Sequence, residues 1–154
     1  MKIILVRHAK AEHNFNKPDI KRKLSPKGKK DIRRNAGHLA KYLSTNDTIY
    51  CLTSSANRAR QTAELIIEEL EVLDFNIELS EDISLYHGDF DPVATQLSLM
   101  EQEDILIVVG HQPTMSYWAK ELSDNYISFS TSEMACFEIE ELSPIKAKFL
   151  WKIE

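Results

Sequence analysis

Arginines and histidines gather in this chain of 154 residues just past the ends of short apolar runs. Ile3–Val6 leads into Arg7-His8, and Ile105–Val109 leads into Gly110-His111. Thr48–Leu52 leads into Thr53-Ser54-Ser55, with Arg58 and Arg60 a few residues on. A lone histidine in such a place is usually structural. Two of them, joined by guanidiniums from a third place, have a chemical reading. A phosphoryl group carries about two negative charges at neutral pH, and the planar fork of an arginine pairs with its oxygens. A neutral imidazole, with an unperturbed pKa of about 6.5, is a competent nucleophile near pH 7. A second imidazole, protonated, can stabilise the charge spread over the equatorial oxygens. Metal binding is the rival use of histidines. No close His/Asp/Glu or Cys/His spacing of the zinc type occurs, and the neighbouring arginines repel a cation, so no metal is expected.

These groups can cooperate only if the elements bearing them lie side by side. Lys2–Val6 reads as a buried strand. Ser25-Pro26 is a cap-and-proline helix start, followed by an apolar stripe of Ile32, Ala36, Leu39, Ala40 and Leu43. Lys27, Lys29, Lys30, Arg33 and Arg34 fall elsewhere on that helix and read as a solvated face. Thr48–Leu52 reads as a strand, and residues 56–70 as a helix with Ala59, Ala63, Ile66, Ile67 and Leu70 inward. Asn76–Leu79 is a weaker strand. Asp91-Pro92 opens a helix to about Met100. Asp104–Val109 is the strongest strand signal, unbroken as in a strand covered on both faces. Pro113 opens a last helix with Met115, Trp118, Ala119 and Leu122 inward. Glu133–Glu140 and Lys146–Ile153 alternate and predict a terminal antiparallel hairpin, with Ala147, Phe149, Trp151 and Ile153 expected on one face. Strands alternating with helices predict an α/β domain with a mostly parallel sheet, where ligands bind at the carboxyl ends of strands.

One domain, residues 1–154, accounts for the length, and no repeat or linker divides it. A net charge of −5 argues against nucleic acid as a partner. No apolar stretch is long enough to span a bilayer, and no signal peptide is apparent, so no membrane partner is expected. Cys51 and Cys136 read as small buried hydrophobes in a reduced chain, which points to the cytoplasm.

Ile4-Leu5-Val6-Arg7-His8-Ala9, with Asn14 downstream, resembles the Arg-His-Gly signature of the histidine phosphatase superfamily, branch 1. Ser54 to Thr62 resembles its Ser-x-x-x-Arg-x-x-x-Thr motif, and Val109-Gly110-His111 its third motif. The resemblance implies a three-layer αβα sandwich of the phosphoglycerate mutase type. It implies that His8 is the phosphorylated nucleophile, that Arg7, Arg58 and His111 complete the phosphate pocket, and that no cofactor is used. Asn14 would contact the phosphate or the attacking group. Within the family, Arg22-Lys23-Leu24-Ser25-Pro26-Lys27-Gly28 and His111-Gln112-Pro113 resemble the SixA group of phosphohistidine phosphatases, which would bring Arg22 to the site. Ala9 stands where the family usually has glycine.

The family's mid-chain glutamate acid has no clean counterpart in the stretch from Glu81 to Asp89. Asp82, His87 and Asp89 are candidates. A missing acid suits a phosphohistidine substrate, whose imidazole leaves more readily than an alkoxide. The expected substrate is therefore a phosphohistidine-containing protein, reached at an open, shallow site. The alternatives are a phosphomonoesterase acting on a small metabolite and a non-catalytic module that binds phosphoproteins.

Overall fold

The computed structural model describes residues 1–154. In chain order the elements are β1 (Lys2–Arg7), α1 (Pro26–Ala40), β2 (Ile49–Ser54), α2 (Asn57–Glu71), β3 (Ile77–Asp82), α3 (Asp91–Leu99), β4 (Ile105–Gly110), α4 (Thr114–Ser123), β5 (Met134–Leu142) and β6 (Ile145–Ile153). They form a three-layer α/β domain. The six strands make one sheet in the order β3-β2-β4-β1-β5-β6. β1 to β4 run parallel, while β5 is antiparallel to β1 and to β6.

The unbroken apolar runs follow from this placement. β4 and β1 are the two central strands, and neither of their faces meets water. On one face, Ile4, Val6, Ile107 and Val109 pack under α1 and α2, against Ile32, Ala36, Leu39, Ala63, Ile66 and Leu70. On the other, Ile3, Leu5, Leu106 and Val108 pack under α3 and α4, against Val93, Leu97, Met115, Trp118 and Leu122. Both cysteines are free and buried, and burial pushes each thiol up to about 12. They are packing residues, inert as thiolates.

The topology favours a ligand site at the carboxyl ends of β1 and β4. From β1 the chain leaves through α1 toward β2, on one face of the sheet. From β4 it leaves through α4 toward β5, on the other face and in the other direction. Adjacent parallel strands whose connections diverge leave a gap at their carboxyl ends. Register then sets what lines it. Arg7 pairs with Gly110, and Thr53 with Val109, so Arg7, Gly110 and Ser54 share one row and His8 and His111 lie just beyond it.

Three sequence expectations change. The residues 147–153 do not share a face. The ladder slips between Cys136 and Phe137, which pair with Trp151 and Phe149 and leave Leu150 unpaired. That bulge reverses the alternation, so Ala147 and Phe149 join the α3–α4 core while Trp151 and Ile153 join the other. Asp91 is the first helical residue of α3 rather than its cap; Phe90 holds the cap position with no side-chain bond, and Asp89 Oδ1 accepts the Asp91 N–H at 2.9 Å. Helix α1 ends at Ala40, which leaves Leu43 beyond it, packed against the edge of the core.

The start of α1 is locked to the segment after His8. Ser25 Oγ caps the helix by accepting the Gly28 N–H at 3.0 Å, and both Ser25 N–H and Ser25 Oγ–H donate to the Lys10 carbonyl. A Cβ at Gly28 would stand 2.1 Å from that same carbonyl oxygen. Backbone on both sides leaves no room to adjust. Gly28→Ala should therefore lower stability by about 1–3 kcal/mol in urea or thermal melts; a melt matching the parent's would show that this contact is not tight.

Candidate active site

His8 lies just past the carboxyl end of β1, 8% exposed, and its surroundings fix its tautomer. Nδ1 lies 2.7 Å from the Ala9 carbonyl, which can only accept, so the proton is on Nδ1. Nε2 then carries no proton, and its lone pair accepts a hydrogen bond from Arg58 Nε–H at 3.3 Å. His8 is neutral as well. Burial pushes its pKa down to about 3, and the charges of Arg58 and Arg7, with the neighbouring His111, act in the same direction against the Ala9 hydrogen bond. A nucleophile needs that neutral state and an unprotonated Nε2.

Backbone and helix bonds hold the ring in place. His8 N–H donates to the Gly110 carbonyl at 3.0 Å, tying it to β4. The Ala9 N–H donates to Thr62 Oγ1 at 2.9 Å, and Thr62 Oγ1–H donates to the Arg58 carbonyl at 2.7 Å. One hydroxyl thus ties the residue after the nucleophile candidate to the backbone of the arginine facing it. Ala9 is fully buried there. From the other side, Ser132 N–H donates to the carbonyls of Arg7 and His8, and Asn35 Nδ2 holds the Ser132 carbonyl at 2.8 Å.

His111 lies beside His8, with ring centroids 5.2 Å apart. Its Nε2 is 2.8 Å from Ser54 Oγ. That oxygen already accepts the Ala56 N–H, and its own hydrogen is available for Nε2. With Ser54 Oγ–H donating to Nε2, the His111 proton sits on Nδ1, which is buried without a partner. Burial first, and Arg58 second, push the His111 pKa down to about 4, against the opposing Asp19 charge. In the protein alone His111 is therefore neutral near pH 7 and offers one N–H; the positive second imidazole expected from the sequence concerns the ring facing a phosphoryl group.

Arg7 reaches the crevice from the end of β1. Its NH1 donates to the Phe129 carbonyl at 2.8 Å, and its Nε is buried without a partner. Arg58, 7% exposed, is held by a residue the sequence reading passed over. Asp19 accepts from Arg58 twice, through its carbonyl at 2.9 Å and Oδ2 at 3.0 Å. The Tyr86 hydroxyl donates to the same Oδ2 at 2.7 Å, and the Arg58 guanidinium lies 6.0 Å from the Tyr86 ring centroid. Tyr86 also packs edge-on against His111. The Tyr86 hydrogen bond, with Arg58 and Arg22, holds the Asp19 carboxyl below the usual carboxylate range.

The four principal candidates, Arg7, His8, Arg58 and His111, thus come together. Arg22 joins them indirectly, with NH1 3.7 Å from Asp19 Oδ1 and its Nε buried and unpartnered. Asn14 stands apart: its Oδ1 closes a turn onto the Asn16 N–H, and no hydrogen bond links it to the four. Arg60 turns outward to Glu64 and Asn57. Among the acid candidates, Asp82 and Asp89 bind the backbone N–H of Ser84 and Asp91, and His87 packs on the Tyr86 ring. Tyr86 lies within Glu81–Asp89, the stretch that holds the acid candidates.

The depressed imidazoles have a thermodynamic consequence. Below about pH 6.5 the unfolded chain protonates positions 8 and 111, while the folded chain does so only near pH 3 and pH 4. Unfolding thus takes up protons in this window, and stability falls as pH drops through it. His8→Ala removes one of the two contributions. Its urea midpoint should fall less between pH 7 and pH 5 than the parent's, and an equal or steeper fall would contradict the His8 environment described.

Comparison with known proteins accords with this geometry. The sequence profile of the histidine phosphatase superfamily (branch 1) matches residues 3–98, more than half of the chain. No curated protein sequence matches it. The fold is similar to that of the protein histidine phosphatase SixA complexed with tungstate, with a TM-score of 0.81 and 25% identity, covering 100% of this chain and 97% of that one. It is similar in fold to a phosphohistidine phosphatase SixA structure from Agrobacterium tumefaciens, with a TM-score of 0.79, 20% identity, and 99% and 97% of the two chains covered. A mycobacterial glucosyl-3-phosphoglycerate phosphatase shares the fold at a TM-score of 0.72 and 13% identity, over 99% of each chain. The chain belongs to branch 1 of the histidine phosphatase superfamily and is a histidine-nucleophile phosphatase.

Proposed function

We propose that the chain is a protein phosphohistidine phosphatase in which His8 Nε2 is the nucleophile. The observation that carries this reading is a neutral imidazole with its lone pair facing a guanidinium, at a site whose nearest carboxyl is held ionised. The first half supplies phosphoryl transfer. The second bears on the substrate. Sugar and serine phosphates leave as alkoxides and need a proton in the transition state. Asp19, kept as a carboxylate by Tyr86, Arg58 and Arg22, is poorly placed to give one. An imidazole leaving group does not need it. The likeness to SixA supports the same substrate class.

The reaction has two steps. His8 Nε2 attacks phosphorus in line as the P–N bond to the substrate ring breaks. A substrate ring protonated on its other nitrogen departs as neutral imidazole, and His8 becomes a phosphoimidazolium with its proton still on Nδ1. Water then attacks phosphorus. The P–N bond breaks toward His8, which returns neutral, and inorganic phosphate carries both protons of the water. Arg58 and Arg7 neutralise the oxygens throughout. The unpartnered N–H groups of His111 Nδ1 and Arg7 Nε are donors that the phosphoryl oxygens would satisfy. Positioning and charge stabilisation supply most of the rate in such a transfer.

The test compares a protein phosphorylated on histidine with sugar phosphates and an aryl phosphate. The phosphohistidine protein should give the highest kcat/KM, and a strong preference for sugar phosphates would overturn the substrate. A single turnover should leave an acid-labile phosphoenzyme. His8→Ala should remove it and lower kcat at least about 10⁴-fold while the domain stays folded. Arg58→Ala should cost about 10²–10³-fold in kcat. Turnover retained by His8→Ala would refute the nucleophile.

A further inference from the structure

Charge is unevenly distributed along this chain. Lys10–Arg34 contains ten of the nineteen lysines and arginines but only three of the twenty-four acids, a net +7. The rest holds nine basic residues against twenty-one acidic ones, a net −12. Half of the ten cations are paired: Lys17 with Glu12, Arg22 with Asp19, Lys27 and Arg34 with Asp31, and Arg33 with Glu68 and Glu69. Lys10, Lys21, Lys23, Lys29 and Lys30 are exposed and form no ion pair.

The structure places part of this segment at the active site. Residues 12–23 form a loop closed at its neck by the Ala11–Leu24 bridge and by the Glu12 N–H on the Lys23 carbonyl at 2.8 Å. Its inner side is the wall of the crevice. Asp19 holds Arg58, the Lys21 carbonyl accepts from Asn57 Nδ2, and the Leu24 N–H donates to Gln61 Oε1. On the same loop stands Phe15, 100% exposed. A single exposed hydrophobe is ordinary. A wholly solvated aromatic on a closed loop beside a catalytic crevice, with unpaired lysines in the same segment, has the make-up of an interface: an apolar anchor with a polar surround.

We infer that the 12–23 loop, together with Lys10 and the lysines in the first turns of α1, docks an acidic face of the protein whose phosphohistidine His8 attacks. This rests on the protein substrate proposed above. Lys10, Lys21 and Lys23 steer the partner by charge, and Phe15 enters an apolar depression on it. The negative remainder of the chain repels the same acidic surface elsewhere and so restricts its approach to this side. An RNA or an anionic bilayer would also be drawn to lysines. Neither presents a phosphohistidine to the crevice that this loop walls.

The test uses the full chain, the triple variant Lys10→Glu/Lys21→Glu/Lys23→Glu, and Phe15→Ala. The probes are free phosphohistidine and an acidic histidine-phosphotransfer domain phosphorylated on its histidine. The triple variant should lose at least about tenfold in kcat/KM on the domain at low salt, through KM, and the loss should shrink in 0.5 M salt. Phe15→Ala should lose about fivefold or more with little salt dependence. Both variants should stay within about twofold of the parent on free phosphohistidine, because neither touches Arg58, His8 or His111. Equal losses on both probes, or none on the domain, would overturn docking. So would triple-variant losses confined to binding of single-stranded RNA or phosphatidylserine vesicles. Binding of the unphosphorylated domain is measured in parallel. If the parent binds it through the loop but hydrolyses neither probe, the phosphatase reading fails and docking stands. If the parent does not bind it, docking fails.

Discussion

A buried imidazole in contact with a guanidinium can exist there only if it is neutral. Arg58 Nε–H faces His8 Nε2 at 3.3 Å, so a proton on Nε2 would set two positive groups against each other away from water. Burial and the arginines keep it off, and the Ala9 carbonyl keeps the other proton on Nδ1. The same pressure that suppresses charge on His8 and His111 makes the crevice receptive to an anion. A phosphoryl group would supply charge to Arg7, which forms no ion pair, and acceptors to His111 Nδ1 and Arg7 Nε, which are buried without a partner.

That contact depends on elements far apart in the chain. Parallel pairing of β1, β4 and β2 brings three strand ends to one row, and the divergence of α1 and α4 leaves the gap above them. Thr62 then sets the spacing between the backbones of Ala9 and Arg58 with one hydroxyl. Asp19 and Tyr86 fix the other end of the guanidinium. Asp19 has two roles that pull against each other. It orients Arg58, and it occupies two of the donors that an incoming phosphoryl group would use. The remaining N–H groups of the guanidinium and the half-exposed position of the carboxylate leave room for both.

Strand ends bearing histidine or arginine were readable in the sequence because the apolar runs before them are local signals. His8, Arg58 and His111 needed only the inference that three such runs are parallel neighbours. Asp19 and Tyr86 were not readable, because their bond spans 67 positions and neither residue type announces itself. The neutral state of His111 in the protein alone was not readable for a related reason. Its unperturbed pKa is a property of the residue, but burial and the nearby Arg58 belong to the fold. In the hairpin, alternation was read correctly as strand, yet one unpaired residue, Leu150, moved Trp151 and Ile153 to the opposite face. Periodicity carries no mark of a bulge.

The central claim concerns one proton on one ring, and nitrogen-15 NMR of the histidine side chains reads it directly. The account predicts that His8 in the unliganded protein remains in the Nδ1–H tautomer, with an unprotonated Nε2, from pH 8 down to pH 5. A His8 ring that titrates near the ordinary histidine pKa of about 6.5, or that carries its proton on Nε2, would contradict it.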